Sequence, residues 1–358
     1  MRVTPAVPIT PAKLTSSTAD AVFAPSAYNA GTTYAIGALV SVAADFRIYE
    51  SLASSNTGNT PSTSPLWWKA CGYVETAYNA GTAYAIGDTA SANYRVYKSL
   101  TAGNTGNAVP ILPETENANW IDVGPMNRWA MFDLDSNTQT VWASPLTVVF
   151  APGERINTIG FNGLRGATLT ISATSVTGGG TVYGPVVVDL SYRDVLDGYE
   201  YCFSPFLTRP YHVVHDVPPY SDIIITVMIS ATTGNVKIGS CVVGTYIDLG
   251  QTSADTTNRG ISFSKVTRDL YGKATMVKRR SIPATKHRSL LDRIKVDRTM
   301  YARDTLLDAT PALYTGMDDA ENNLFGMHQI LGFFTRWEYS VDAGLADKVW
   351  LDLELEAI

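Results

Sequence analysis

The side chains best equipped for chemistry in this sequence are aromatic, and they come in two matched sets. Ala27-Tyr28-Asn29-Ala30-Gly31-Thr32-Thr33-Tyr34-Ala35-Ile36-Gly37 returns as Ala77-Tyr78-Asn79-Ala80-Gly81-Thr82-Ala83-Tyr84-Ala85-Ile86-Gly87. Arg47-Ile48-Tyr49 is answered by Arg95-Val96-Tyr97, Asn56-Thr57-Gly58-Asn59 by Asn104-Thr105-Gly106-Asn107, and Trp68 by Trp120. What such rings do is stack: a flat apolar face matches the axial C–H surface of a pyranose, while neighbouring amides and hydroxyls bond its oxygens. A tandem unit of about fifty residues, rich in Tyr and Trp and poor in charge, therefore reads as a recognition device. Trp67 leads the candidates. Strand neighbours point to opposite faces, so if Trp68 is buried like its counterpart Trp120, Trp67 faces outward, and it has no partner in the second copy. The competing reading is that Trp67 covers the neighbouring module or the N-terminal segment. Tyr28, Tyr78, Tyr49, Tyr97 and Trp120 complete the set, against the alternative that repeated aromatics in so small a unit are its core.

Other chemistry is sparser. Asp133 and Asp135 share a face if Phe132-Asp133-Leu134-Asp135 is a strand, and would then bind Ca²⁺ or act as paired carboxylates; the plainer reading is a turn through Asp135-Ser136-Asn137. His212 and His215 fall on opposite faces of a strand and cannot easily share a metal. Gly178-Gly179-Gly180 sits at a hairpin tip with no following helix or Lys-Ser/Thr, so it is no phosphate loop. Cys71, Cys202 and Cys241 have no second ligand at a metal spacing and are expected to be buried thiols. No catalytic residue, metal ligand or cofactor is expected.

These residues need a frame. A hydrophobic fraction of 45% against 17% charged excludes a disordered chain, and 28 Gly and 18 Pro among many Thr, Ser and Val favour sheets joined by turns, so the class is mostly β. At 358 residues the chain is expected to be multi-domain. The boundaries expected are an extended N-terminal arm over residues 1–26, small β modules over 27–74 and 75–124, a β-sandwich (jelly-roll-like) domain over 125–250 and a C-terminal α+β assembly domain over 251–358. The arm, rich in Pro, Thr, Ser and Ala, is predicted to lack a core of its own, and arms of this kind often order only against a partner. In the tail a strand at Thr275-Met276-Val277-Lys278 precedes a helix within Lys286–Leu307, with Leu291, Ile294, Arg298 and Tyr301 on one face. Strands at Pro311–Tyr314, Phe333–Ser340 and Trp350–Leu355 follow it.

Charge is unevenly spread. The net charge is −6, yet Lys265–Arg303 holds twelve Lys or Arg against Asp269, Asp292 and Asp297, leaving the remainder about fifteen charges negative. Lys278, Arg279, Arg280, Lys286 and Arg288 are therefore the expected basic docking face, meeting an acidic neighbour; a solvated basic face without a partner is the bland reading. Only Tyr271 is interleaved near this stretch, so protein rather than nucleic acid is the expected partner. The longest apolar run, Ile223–Ile229, is too short to span a bilayer, and Met1-Arg2-Val3-Thr4-Pro5 lacks the apolar stretch of a secretory signal, so neither membrane insertion nor secretion is expected.

Tyr34, Gly37, Val40, Tyr49, Gly58, Pro61 and Trp68, with Tyr84, Gly87, Asp88, Tyr97, Gly106, Pro110 and Trp120, resemble the small chitin-binding-like carbohydrate-binding modules over about residues 27–124. The second copy departs at Thr89-Ala90 and the first at Ala38, where the family has Asp. The family's exposed aromatic pair after the middle Tyr is replaced by Ser51-Leu52-Ala53 and Ser99-Leu100-Thr101. Residues 125–358, through Asn127-Arg128-Trp129-Ala130-Met131-Phe132-Asp133, Phe263–Gly272, Lys278-Arg279 and Pro311-Ala312-Leu313-Tyr314, look like tailed-bacteriophage tail and baseplate proteins. The resemblance implies a structural virion protein, assembled in the host cytoplasm as a homo-oligomer with other tail proteins, whose modules meet host cell-surface polysaccharide. A polysaccharide-degrading enzyme with accessory modules, and a purely architectural tail subunit, are the alternatives.

Overall fold

The computed structural model describes residues 1–19, 25–111, 113–135, 137–192, 195, 197–204, 206–253, 256–268, 270–277, 279–307, 310–317, 325–341 and 347–358. The protein is mostly β, built from several antiparallel sheets with short helical segments between them.

Each copy of the repeat is a three-stranded antiparallel sheet: Leu39–Val42, Arg47–Ser51 and Trp68–Tyr73 in the first, Thr89–Ala92, Arg95–Ser99 and Trp120–Pro125 in the second. So few residues cannot make an aliphatic core of any depth, and rings fill the space instead. Tyr34 and Trp68 meet edge-on at 5.2 Å with Tyr28 against both; Tyr84, Trp120 and Tyr78 repeat the arrangement with Tyr84 and Trp120 at 5.0 Å. Such pairs add about 0.5–1.5 kcal/mol each beyond burial. The Asn-Thr-Gly-Asn turns close both units identically. Gly58 and Gly106 each sit at φ +74°, where a Cβ is disfavoured. The following Asn59 and Asn107 carbonyls accept the indole N–H of Trp68 and Trp120, at 2.8 and 2.9 Å.

The middle of the chain is a sandwich. A five-stranded sheet orders Gly180–Asp189, Thr168–Ser175, Ile224–Ser230, Leu146–Phe150 and Leu14–Ser17, and faces a three-stranded sheet of Tyr211–Val214, Thr158–Asn162 and Ser240–Gly244. Every second residue of Ile224–Ser230 is buried, the period of two expected of a strand with one face on a core. Its Ile225, Val227 and Ile229 pack with Ile159, Phe161 and Val243 from the opposing sheet.

The third unit is an eight-stranded antiparallel sheet in which Gln329–Ser340 and Lys348–Ala357 lie at the centre and the helix Val296–Leu306 covers one face with Ala302 and Leu306. Two expectations are corrected here. The N-terminal arm does not wait for a partner: Arg2–Pro5 inserts between Ile247–Asp248 and Ala312–Thr315, Met1 and Val3 are buried, and the terminal ammonium donates to the Gly250 carbonyl at 2.8 Å. The helix predicted within Lys286–Leu307 starts only at Val296, because Ser281–Asp292 is one long strand. Leu291 is buried on that strand, while Ile294 and Tyr301 are exposed, so they share no helical core face.

Candidate functional site

Of the six rings expected to bind, five belong to the module cores and Trp67 does not. Trp120 and Tyr97 are fully buried and Tyr49 nearly so. None of the three shows a face on which a ligand can stack, and they leave the binding set. The Tyr49 hydroxyl donates to Asp45, and burial followed by that carboxylate pushes its pKa up to about 12. Tyr28 and Tyr78 are half-buried members of the ring triads, and the Tyr78 hydroxyl donates to the Asn107 carbonyl at 2.9 Å. Trp67 differs. It is 37% exposed, beside Leu66 at 86% and near Leu52, while Asn119 occupies its place in the second copy. Its backbone carbonyl is held twice, by the Leu52 N–H at 2.9 Å and the buried Asn56 amide at 3.2 Å. The rim residue is thus fixed by the same asparagine that fixes the turn.

A cleft of about 690 Å³ opens where the last strands of both modules meet the start of the sandwich. Lys69 and Tyr73 line it from module 1, Arg95 and Asp122 from module 2, and Asp133 and Asn137 from the loop after the short 3₁₀ turn Ala130–Phe132. Arg95 is ion-paired with the buried Asp122, while its counterpart Arg47 lies over the Tyr73 ring at 5.1 Å. Burial raises the Asp133 carboxyl to about 6, although the Thr138 hydroxyl at 2.7 Å and the Asp135 N–H at 3.0 Å donate to it. Asp133 and Asp135 do not share a strand face as one expectation had it. They belong to a turn in which Asp135 accepts from the Asn137 backbone and side chain, both at 2.8 Å. Arg95, Asp122 and Tyr73 were missed in the sequence as cleft residues. Arg95 carried a signal, since it belongs to the repeated Arg-x-Tyr, but Asp122 and Tyr73 sit where the copies differ.

Module 1 is anchored to the sandwich by a buried acid. Glu50 accepts from the Lys237 ammonium at 2.5 Å and the Arg165 guanidinium at 2.9 Å, and Asn235 donates to the Gly37 carbonyl at 2.9 Å. In module 2 the position of Glu50 is Lys98. Burial, then the charge of Glu50, pushes the Cys71 thiol up to about 12. Cys241 is buried but Cys202 is exposed, contrary to expectation.

The expected basic docking face is not one surface. Lys286 and Arg288 pair across the sheet with Glu354 and Asp352, both at 3.6 Å, and Arg288 stacks on Trp350. Arg280 donates to the Asn137 side chain at 2.6 Å. Arg279 is exposed on the way into a projecting hairpin, and Lys278 lies outside the described residues. Among the described residues no group of three or more His, Cys, Asp or Glu is placed to hold a metal, and no helix is long and apolar enough to cross a membrane. No family model and no curated protein matches the chain.

Proposed function

We propose that the chain is a structural virion protein of a phage tail or baseplate whose first module presents Trp67 to host-surface glycans during adsorption. The observation that carries the glycan part is the exposed, unrepeated indole on a rim whose backbone is pinned by Asn56. The virion part is supported by the resemblance of residues 125–358 and by a β-rich body of several sheets suited to a particle component. Taking for an indole on a sugar the about 0.5–1.5 kcal/mol that an aromatic pair gains, Trp67→Ala in the full chain is expected to weaken retention on a host-glycan array about three- to tenfold. An array on which neither protein binds, or both bind equally, would reduce the modules to spacers.

A second reading has its own observation: Asp133 has a carboxyl raised to about 6 and lines a cleft large enough for a few sugar rings. A carboxyl in that state at near-neutral pH is the condition for a general acid in glycoside cleavage. This reading predicts reducing-sugar release from cell-wall or capsular polymer, declining as pH rises past about 6, and abolished by Asp133→Asn. No release from any such polymer removes it.

A further inference from the structure

Two patches on this chain are opposite in charge, and each carries exposed aromatic and aliphatic side chains among the described residues. The first is a hairpin. Thr257–Ser262 runs along Ser281–Asp292, and beyond it Lys265–Arg268 pairs only with Ala274–Val277. A two-stranded ribbon is marginal in water by itself, yet here Phe263, Val266, Met276 and Val277 are exposed and Leu270 at the tip is fully exposed. Residues 257–280 carry seven Lys or Arg against one Asp.

The second is a lobe on the sandwich. The end of Gly180–Asp189, the ribbon of Ser191–Tyr192 with Leu207–Thr208, and the short helix Gly198–Phe203 bury none of the helix's residues. Val187, Tyr199, Phe203 and Leu207 are exposed, Tyr199 at 71%, with the Tyr199 and Phe203 rings 4.8 Å apart. Residues 186–208 carry four Asp or Glu against one Arg. Exposed apolar clusters rimmed by charge mark interaction sites, and these two are complementary in sign.

We infer that the basic hairpin 257–280 of one copy docks on the acidic aromatic lobe 186–208 of the next copy. Where each copy docks its hairpin on one neighbour and offers its lobe to another, the contact is head-to-tail and generates a ring or an open filament; where two copies exchange hairpins, it closes as a two-fold dimer. Opposite charge sets register and speeds encounter, while the aromatic and aliphatic side chains supply the buried area. The inference rests on the reading of the chain as an assembly subunit but not on glycan binding, which is measured on different residues.

The test uses the full chain. Light scattering over a concentration series is expected to show association that grows with concentration and is weakened by salt, and alkylation of the exposed Cys202 in the lobe helix slows as the chain associates. Lys265→Glu with Arg268→Glu, or Asp189→Lys with Glu200→Lys, is expected to weaken association at least tenfold. Thermal unfolding of each variant checks that it folds. A chain monomeric at every concentration, or substituted variants that associate as the parent does, would overturn the inference. So would a hairpin that binds anionic phosphatidylserine vesicles or nucleic acid while copies fail to associate.

Discussion

Glu50 shows how a single side chain separates two otherwise equivalent modules. Removing one partner of a buried ion pair costs about 3–5 kcal/mol, because the other charge stays buried unpaired. Glu50→Ala should therefore lower the unfolding midpoint sharply by calorimetry and loosen module 1, since Lys237 then has no counter-charge. Combining it with Lys237→Met should recover much of the loss, as apolar replacements of buried pairs usually do. Equal destabilisation by the single and double variants would mean that the pair is not what fastens the module. The same comparison separates Trp67 from the other rings. Tyr97 and Trp120 were as prominent in the sequence as Trp67, but a residue that appears in both copies is needed by the shared fold, whereas one that appears once is free for another purpose.

Strands with apolar alternation were plain in the sequence and those without were not. Ile224–Ser230 announces itself through Ile225, Val227 and Ile229, and the repeated turns through Asn-Thr-Gly-Asn. Ser281–Asp292 is hidden because its buried face is written largely in Thr285, His287 and Ser289, and hydropathy cannot see a period of two made of polar residues. Arg2–Pro5 is hidden because four residues give too little pattern to distinguish a strand from an arm. The cleft was out of reach for another reason: Asp133, Asp122 and Tyr73 meet only through tertiary packing. The polar buried strand has a measurable consequence. His287 is fully buried with neither ring nitrogen hydrogen-bonded, and burial, then the nearby His328, holds its pKa at about 3 against an ordinary 6.5. The unfolded chain therefore takes up a proton below 6.5 that the folded one refuses, so stability falls as the pH drops from 6.5 toward 3. His287→Leu should flatten that part of the stability–pH curve, and a curve unchanged in slope would show that the folded protein accommodates the charged ring.

Taken whole, the molecule divides its labour by repetition and by exposure. The duplicated rings hold two modules in shape and the sandwich region anchors the first through Glu50, while Trp67, the cleft, the basic hairpin and the acidic lobe are the features to which the proposals above assign other molecules. The tail-protein and glycan proposals rest on family resemblance and the aromatic repeat. The split of the basic stretch into paired sheet residues and an exposed hairpin required the fold, because register alone decides that Lys286 faces Glu354. The most direct test of the recognition claim is a binding isotherm of the intact chain against purified host surface polysaccharide, with Trp67→Ala and Tyr78→Phe measured alongside. The account predicts saturable binding, a loss of about three- to tenfold for Trp67→Ala and no change for Tyr78→Phe. Binding that is absent, or indifferent to Trp67, contradicts it.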